Sequence, residues 1–329
     1  MEATAYWTIA AGQGELRREQ LPEPEADQVR VRTLASGVSR GTELLVHRHA
    51  VPEPVRALMR CPFQVGDLPG PVKYGYLSVG VVEAGPARLL NRRVFCLHPH
   101  QDVYVVPASA VTGVPDDVPT ERAVLAGTVE TAVNALWDGA PRIGDRVAVI
   151  GAGMVGLSVA ALLRRFPLGR LQLVDIDPAK AAIAARIGVP LVDPDAAAAD
   201  CDLVFEASAQ ADGVATALRL CGDEAEVIEL SWFGETRPSI PLGADFHARR
   251  LTLRASQVGR VSPARAVRRS TSDRLRLALD LLRDDAFDAL LAPPVPFADL
   301  PGTLRAMDAG RGTTLCQVIS YPREGACTS

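Results

Sequence analysis

One short stretch limits what this chain can fold into more than any other: Val147-Ala-Val-Ile-Gly151-Ala-Gly153-Met-Val-Gly156-Leu-Ser-Val-Ala-Ala-Leu-Leu. An apolar, β-branched run leads into three glycines spaced G-x-G-x-x-G, and an apolar helical run leaves them. The first glycine permits a tight turn. The second lets the backbone approach a pyrophosphate, and the third lets helix and strand pack closely. Phosphates then meet the positive end of the helix. A second apolar run ends in Val174-Asp175, nineteen residues after Gly156, where an acidic side chain is expected to hydrogen-bond the adenosine ribose hydroxyls. The motif therefore predicts a dinucleotide held by Gly151, Gly153, Met154, Val155, Gly156 and Asp175; a glycine-rich strand–helix turn in an unrelated α/β fold is the alternative. Asp175 and Asp177 would repel a 2′-phosphate and no Arg immediately follows the strand, so NAD is the expected cofactor. Lys180, five residues on, works against that preference. Asp177, followed by Pro178, reads as the cap of the next helix.

Around this motif the chain changes character. Up to about residue 120, short β-branched runs (Gln28–Thr33, Leu77–Val82, Arg93–Leu97, Val103–Val106) alternate with Gly- and Pro-rich turns, as in a barrel-like or sandwich-like unit. From about 121 to 257, nearly continuous apolar strands are separated by helical patterns: Arg146–Ile150, Leu171–Val174, Asp202–Phe205, Glu226–Leu230 and Leu251–Arg254. Strands of that kind belong to a parallel sheet covered on both faces. An amphipathic helix at about Ser272–Arg283, a Pro-rich segment and a last strand, Cys316–Ser320, complete the chain.

Charge and composition exclude several classes. With 35 Lys+Arg against 39 Asp+Glu, the net charge of −4 leaves no basic excess to neutralise nucleic-acid phosphates. No apolar run approaches the roughly 18–20 residues that span a bilayer, and the N-terminus lacks a signal-peptide pattern. The six cysteines (61, 96, 201, 221, 316 and 327) are scattered, which suggests neither a disulfide framework nor a zinc ribbon. A cytoplasmic protein that binds a small molecule, without nucleic-acid or membrane partners, is expected.

Five segments carry a family resemblance through their order and spacing. They are Ser36-Gly-Val-Ser-Arg-Gly-Thr-Glu43, Pro71-Val-Lys-Tyr-Gly-Tyr76-Leu-Ser-Val-Gly-Val-Val-Glu-Ala-Gly85, Arg92-Arg-Val-Phe, Asp202-Leu-Val-Phe-Glu-Ala-Ser208 and Pro294-Val-Pro-Phe-Ala-Asp-Leu-Pro-Gly-Thr-Leu. Together they make the chain resemble the medium-chain dehydrogenase/reductase superfamily of alcohol dehydrogenase-like enzymes. The resemblance implies an α/β architecture. A GroES-like β-rich catalytic domain (1–122) precedes an NAD-binding Rossmann domain with a doubly wound parallel sheet (123–258), and a C-terminal segment (259–329) returns to the catalytic domain. It also implies a homodimer paired edge to edge along Leu251–Ser256.

The departures matter as much. Where the family carries its catalytic-zinc ligands this chain has Ser39, Tyr76 and, near the domain junction, Ala126 or Gly127; Leu77 replaces the accompanying Glu. The four-cysteine structural-zinc lobe is missing. Zinc needs thiolate, imidazole or carboxylate ligands, so no metal is expected and the chain resembles zinc-free members. Without a metal, another group must meet the substrate's oxygen. His98, His100 and Asp102 would share one face of a strand, which makes the histidines candidates for substrate binding or proton relay; exposed or hydrogen-bonded histidines in a polar loop are the alternative, and a His-x-His metal site there lacks an obvious third ligand. The resemblance places Tyr76 at a former ligand position, Thr42 at the family's relay hydroxyl, and Ser208, Ser231 and Trp232 near the nicotinamide. Glu130 is a further acid candidate or merely favours its helix N-terminus; Glu43 is expected to accept backbone hydrogen bonds, and His47 and His49 to lie at the surface. The implied function is a zinc-independent, NAD-dependent oxidoreductase interconverting a secondary alcohol and a ketone on a polar molecule such as a polyol, sugar or secondary-metabolite intermediate. A reductase of activated C=C bonds and a catalytically inactive nucleotide-binding subunit are the alternatives.

Overall fold

The computed structural model describes residues 1–312 and 315–322; Cys327 lies outside the described residues. The chain divides into two compact units, Met1–Gly127 with Leu291–Ser329, and Thr128–Leu290.

In the first unit the long strand Gln28–Val38 is central. It pairs antiparallel with Cys316–Ser320, Ser78–Ala84 and Val103–Pro107. Alternate residues point inward, so Val29 and Val31 meet Val82, Val94, Tyr104 and Val106 in one apolar core. At the other end of the strand, Val38 joins a core of Tyr6, Leu44, Phe297, Leu300, Ile319 and Tyr321. The N-terminal hairpin Glu2–Ala10/Gln13–Gln20 turns at Gly12, whose φ of 73° suits glycine. The pattern of the sequence does not reveal this hairpin, because its second strand, Gln-Gly-Glu-Leu-Arg-Arg-Glu-Gln, is half-exposed and carries almost no apolar alternation.

The second unit is a six-stranded parallel sheet. Its spatial order is Leu191–Val192, Arg170–Val174, Arg146–Ile150, Cys201–Glu206, Cys221–Glu229, Thr252–Ala255. The order reverses direction at Arg146–Ile150, the doubly wound pattern that leaves a crevice beyond the strands' carboxyl ends. Helix Met154–Leu163 is buried along almost its whole length, as its largely apolar sequence requires; its one hydroxyl, Ser158, donates to the Met154 carbonyl at 2.8 Å.

The C-terminal domain boundary differs from the sequence expectation. Residues 259–290, expected to return to the first unit, belong to the second. A capping box of Ser270 and Asp273 starts the helix Thr271–Leu281, close to where periodicity placed it. Its Arg274 is only 1% exposed and donates to Glu130 Oε1 at 3.0 Å, to Asn134 Oδ1, and to the carbonyls of Arg260 and Val258. A buried guanidinium satisfied by so many acceptors ties this helix to Ala126–Gly139, which carries Glu130 and Asn134. Arg274→Ala is expected to lower the unfolding free energy by about 3–5 kcal/mol, because Glu130 would remain buried without its partner. Arg274→Met combined with Glu130→Gln should cost less, which urea unfolding would measure.

Candidate functional site

In the second unit the glycine loop follows strand Arg146–Ile150. Gly151 has φ of 92°, and a Cβ there would lie 2.7 Å from the Ser208 nitrogen. A Cβ on Gly156 would stand 1.9 Å from the Gly151 carbonyl oxygen, so only glycine lets helix and loop approach this closely. Gly153, by contrast, faces open space and precedes the helix without a side-chain cap. The first N–H groups of Met154–Leu163 have no intrahelical partner. An open cradle of backbone donors at a helix N-terminus suits a pyrophosphate.

Asp175 stands at the end of the neighbouring strand. Its Oδ2 accepts from the Ala152 N–H at 2.6 Å and from Lys180 Nζ at 2.8 Å, while Oδ1 accepts from the Asp177 N–H at 2.9 Å. Burial raises its pKa, but the Lys180 hydrogen bond and the two N–H donors outweigh that and hold it below the ordinary carboxylate range. Asp175 therefore fastens the glycine loop. Asp177 caps the short helix Pro178–Lys180 through the Ala179 N–H, as its sequence context suggests.

Ser208 and Ser231 follow the next two strands and share one anchor that the sequence pattern does not single out. Glu206, fully buried, accepts from the Ser208 N–H at 2.8 Å and from both serine hydroxyls, Ser231 at 2.6 Å. Glu229 accepts from the Ser231 N–H at 2.7 Å. Trp232 beside them is half-buried.

The first unit gathers a different set. Tyr76 donates its hydroxyl to Ser39 Oγ at 2.6 Å and also engages the Thr42 side chain. Burial, then the Glu43 charge, raise the Tyr76 phenol well above its ordinary range, so it is a neutral donor. Glu43 accepts from the Ser39 N–H at 2.7 Å and from His100 Nε2 at 2.9 Å. His100 Nδ1 in turn meets Ser36 Oγ at 2.7 Å, and Ser36 meets the Tyr321 hydroxyl at 2.9 Å. Ser36 and Tyr321 were not foreseen, since their 285-residue separation leaves no local signal.

Several expectations need correction. Residues 98, 100 and 102 do not share a strand face, because the strand begins only at Val103. His98 is stacked on Tyr104 at 3.8 Å and on Phe63 at 5.6 Å, and its Nδ1 bonds the Pro99 carbonyl. Burial pushes its pKa down to about 3, so it is a neutral core side chain and not a proton carrier near neutrality. Asp102 accepts the Thr4 and Val103 N–H groups. Glu130 is committed to Arg274, so its role is not the simple favouring of a helix end. His47 is not a surface residue, at 1% exposed, whereas His49 is partly exposed; the Nε2 atoms of both are buried without a hydrogen-bond partner.

The hydroxyls of Ser39 and Tyr76 satisfy each other and are poor zinc donors. Among the described residues no group of three His, Cys, Asp or Glu side chains is placed to hold a metal ion.

No family model matches the chain. L-threonine 3-dehydrogenase of Rhizobium rhizogenes is 31% identical over 84 residues, which is 26% of this chain and 24% of that enzyme. The Sinorhizobium medicae enzyme of the same name is 30% identical over 87 residues, again 26% of this chain and 25% of its own length. These alignments therefore span only about a quarter of the curated relatives. Among solved structures, L-idonate 5-dehydrogenase from Escherichia coli superposes with a TM-score of 0.79 at 14% identity, covering 98% of this chain and 99% of that one. The 2R,3R-butanediol dehydrogenase of Bacillus subtilis gives 0.77 at 17% identity, over 98% and 100%. An alcohol dehydrogenase from E. coli CFT073, complexed with NADH, gives 0.75 at 14%, over 97% and 99%. The chain has the medium-chain alcohol dehydrogenase fold.

The state of His98 has a measurable consequence. Unfolded histidine takes up a proton below its ordinary value of 6.5, whereas folded His98 resists until about 3. Stability present above 6.5 is thus lost as pH falls toward 3, by up to about 1.4 kcal/mol per pH unit from this group. Chemical unfolding at stepped pH should show the fall, and His98→Phe should make it shallower.

Proposed function

We propose that this protein is a zinc-independent, NAD(H)-dependent oxidoreductase that interconverts a secondary alcohol and a ketone on a polar small molecule. The observation that carries the reading is the glycine cradle, closed by Gly151 and Gly156, open at Gly153 and fastened to Asp175. Gly151, Gly153, Met154, Val155 and Gly156 would hold the pyrophosphate, and Asp175 the adenosine ribose. Ser208, Ser231 and Trp232 are proposed for the nicotinamide end. When bound, the nicotinamide ring supplies the hydride donor or acceptor.

The chain's own part is to meet the substrate's oxygen. Tyr76, kept neutral by burial and by Glu43, is suited to turn its one hydroxyl proton from Ser39 Oγ to a carbonyl or developing alkoxide. A preorganised donor of this kind is worth about 2.7–4 kcal/mol to a transition state. Ser39 and Thr42 are the hydroxyls in line with it, Glu43 fixes Ser39 by its backbone, and His100 holds Glu43 from behind. The donor set fits an oxygen substrate and does not fit zinc. Threonine, idonate and butanediol, named in the relatives, are all polar and hydroxylated, which supports a small polar alcohol here. The exposed edge strand Thr252–Ala255 is the proposed line of pairing in a homodimer.

A panel of alcohols and ketones assayed with NAD and NADH tests the reading; reduction of enones alone, or cofactor binding without any turnover, would replace it. With a turned-over substrate, Tyr76→Phe is expected to lower kcat about 100-fold while NADH affinity stays at the parental value. Equal turnover by Tyr76→Phe would remove Tyr76 from the mechanism. Asp175→Ala should weaken NADH about tenfold and narrow its margin over NADPH. Elemental analysis after dialysis should find no stoichiometric zinc.

A further inference from the structure

Two glutamates sit side by side where the parallel sheet ends. Strands Cys201–Glu206 and Cys221–Glu229 finish in register, with Glu206 directly opposite Glu229. Parallel neighbours point their side chains to the same face, and the two carboxyl groups are within hydrogen-bonding reach. Glu206 is 0% exposed. Two carboxylates at such a place, with no cation between them, do not both ionise in the ordinary carboxylate range; one of them holds its proton to higher pH.

The neighbouring elements bring none to it among the described residues. From strand Thr252–Ala255, Arg254 turns to Glu226 and to the Asp138 carbonyl. From helix Ala211–Leu220, Gly213 faces Glu206, and a Cβ there would lie 2.7 Å from Glu206 Oε1; Asp212 beside it is exposed. Ile150 faces Glu206 from strand Arg146–Ile150. Asp138 is occupied by Ser256 and Asn134.

The pattern of hydrogen bonds decides which carboxyl keeps the proton. Both Glu206 oxygens accept, Oε1 from the N–H and hydroxyl of Ser208 and Oε2 from the Ser231 hydroxyl. Glu229 accepts through Oε1 from the Ser231 N–H and also engages the Ser231 hydroxyl, whose short hydrogen bond, 2.6 Å, goes to Glu206. We infer that Glu229 is held as a neutral carboxylic acid donating to Glu206, and that this single shared proton is a positioning device for the dinucleotide loop. The link to the loop is direct: the Ser208 nitrogen that Glu206 holds is the atom a Cβ on Gly151 would strike at 2.7 Å. The Ala207 N–H also bonds the Ile150 carbonyl, immediately before Gly151. Burial, then the neighbouring Glu206, push the Glu229 pKa up to about 8. Below that pH the pair carries one negative charge. Above it the proton leaves Glu229 for solvent, the hydrogen bond to Glu206 is lost, and two like charges flank the loop meant for an anionic pyrophosphate.

This inference rests on the dinucleotide reading of the loop, and its test separates the two. NADH affinity of the full chain would be titrated from pH about 6.5 to 9.5 for the parent, Glu229→Gln and Glu229→Asp. A rise in the parental Kd of about tenfold, centred near pH 8, with a flat profile in Glu229→Gln is the expected result. A flat parental profile overturns the inference while leaving the cofactor assignment intact, as does an unchanged profile in Glu229→Gln. No NADH binding at any pH sinks the cofactor reading alone. In that event Trp232 fluorescence of the ligand-free protein decides: a transition near pH 8 that Glu229→Gln and Trp232→Phe both abolish supports the pair, and its absence overturns it. Should Glu229→Gln fail to fold, infrared spectra of the parent replace it: loss of a protonated-carboxyl band near pH 8 supports the pair, and a band that is absent or unchanged overturns it.

Discussion

The approach of the Gly156 Cα to the Gly151 carbonyl is the constraint around which the second unit is arranged. With 1.9 Å left for a Cβ there, the helix Met154–Leu163 can lie directly against the strand it follows, and its N-terminus is aimed beyond the sheet's carboxyl edge. That edge then collects everything else: Asp175 from one neighbouring strand, Glu206 and Ser208 from the other, Ser231 and Trp232 from the next. Each polar member is tied to the loop or to another member by a short hydrogen bond, so the crevice is set by backbone geometry before any ligand is considered.

The first unit solves a different problem, namely how to keep a polar cluster inside a β-rich core. Buried hydroxyl, imidazole and carboxylate groups are costly unless each finds a partner. Tyr321, Ser36, His100, Glu43 and Ser39 form an unbroken series of partners ending at Tyr76 and Thr42. Such a network fixes Tyr76 in a donor state. Removing an internal member would leave one hydrogen-bonding atom of each neighbour without its partner.

Ionic pairs play unequal parts. Arg274–Glu130 is buried and knits one helix to another, whereas Arg146 with Asp200 and Asp202 lies at the exposed end of the sheet. Exposed pairs of the latter kind contribute little. The acid pair Glu206–Glu229 is different again: buried Glu206 and half-buried Glu229 meet through sheet register and not through opposite charge.

The periodicity and punctuation of the sequence determined the α/β class, five of the six strands of the second unit, the glycine loop, the capping role of Asp177 and the helix beginning near residue 271. Those features are local: φ preferences, apolar runs and caps act over a few residues. Tertiary structure alone decided the rest. His98 and His100, two residues apart and chemically identical on paper, part ways because one is stacked between aromatic rings and the other lies between Ser36 and Glu43. Glu130 found Arg274 across 144 residues, and Tyr321 found Ser36 across 285. The pairing of Glu206 with Glu229 follows from sheet register, which no local pattern encodes. Protonation state and partner choice depend on burial and on distant neighbours, and those exist only once the chain has folded.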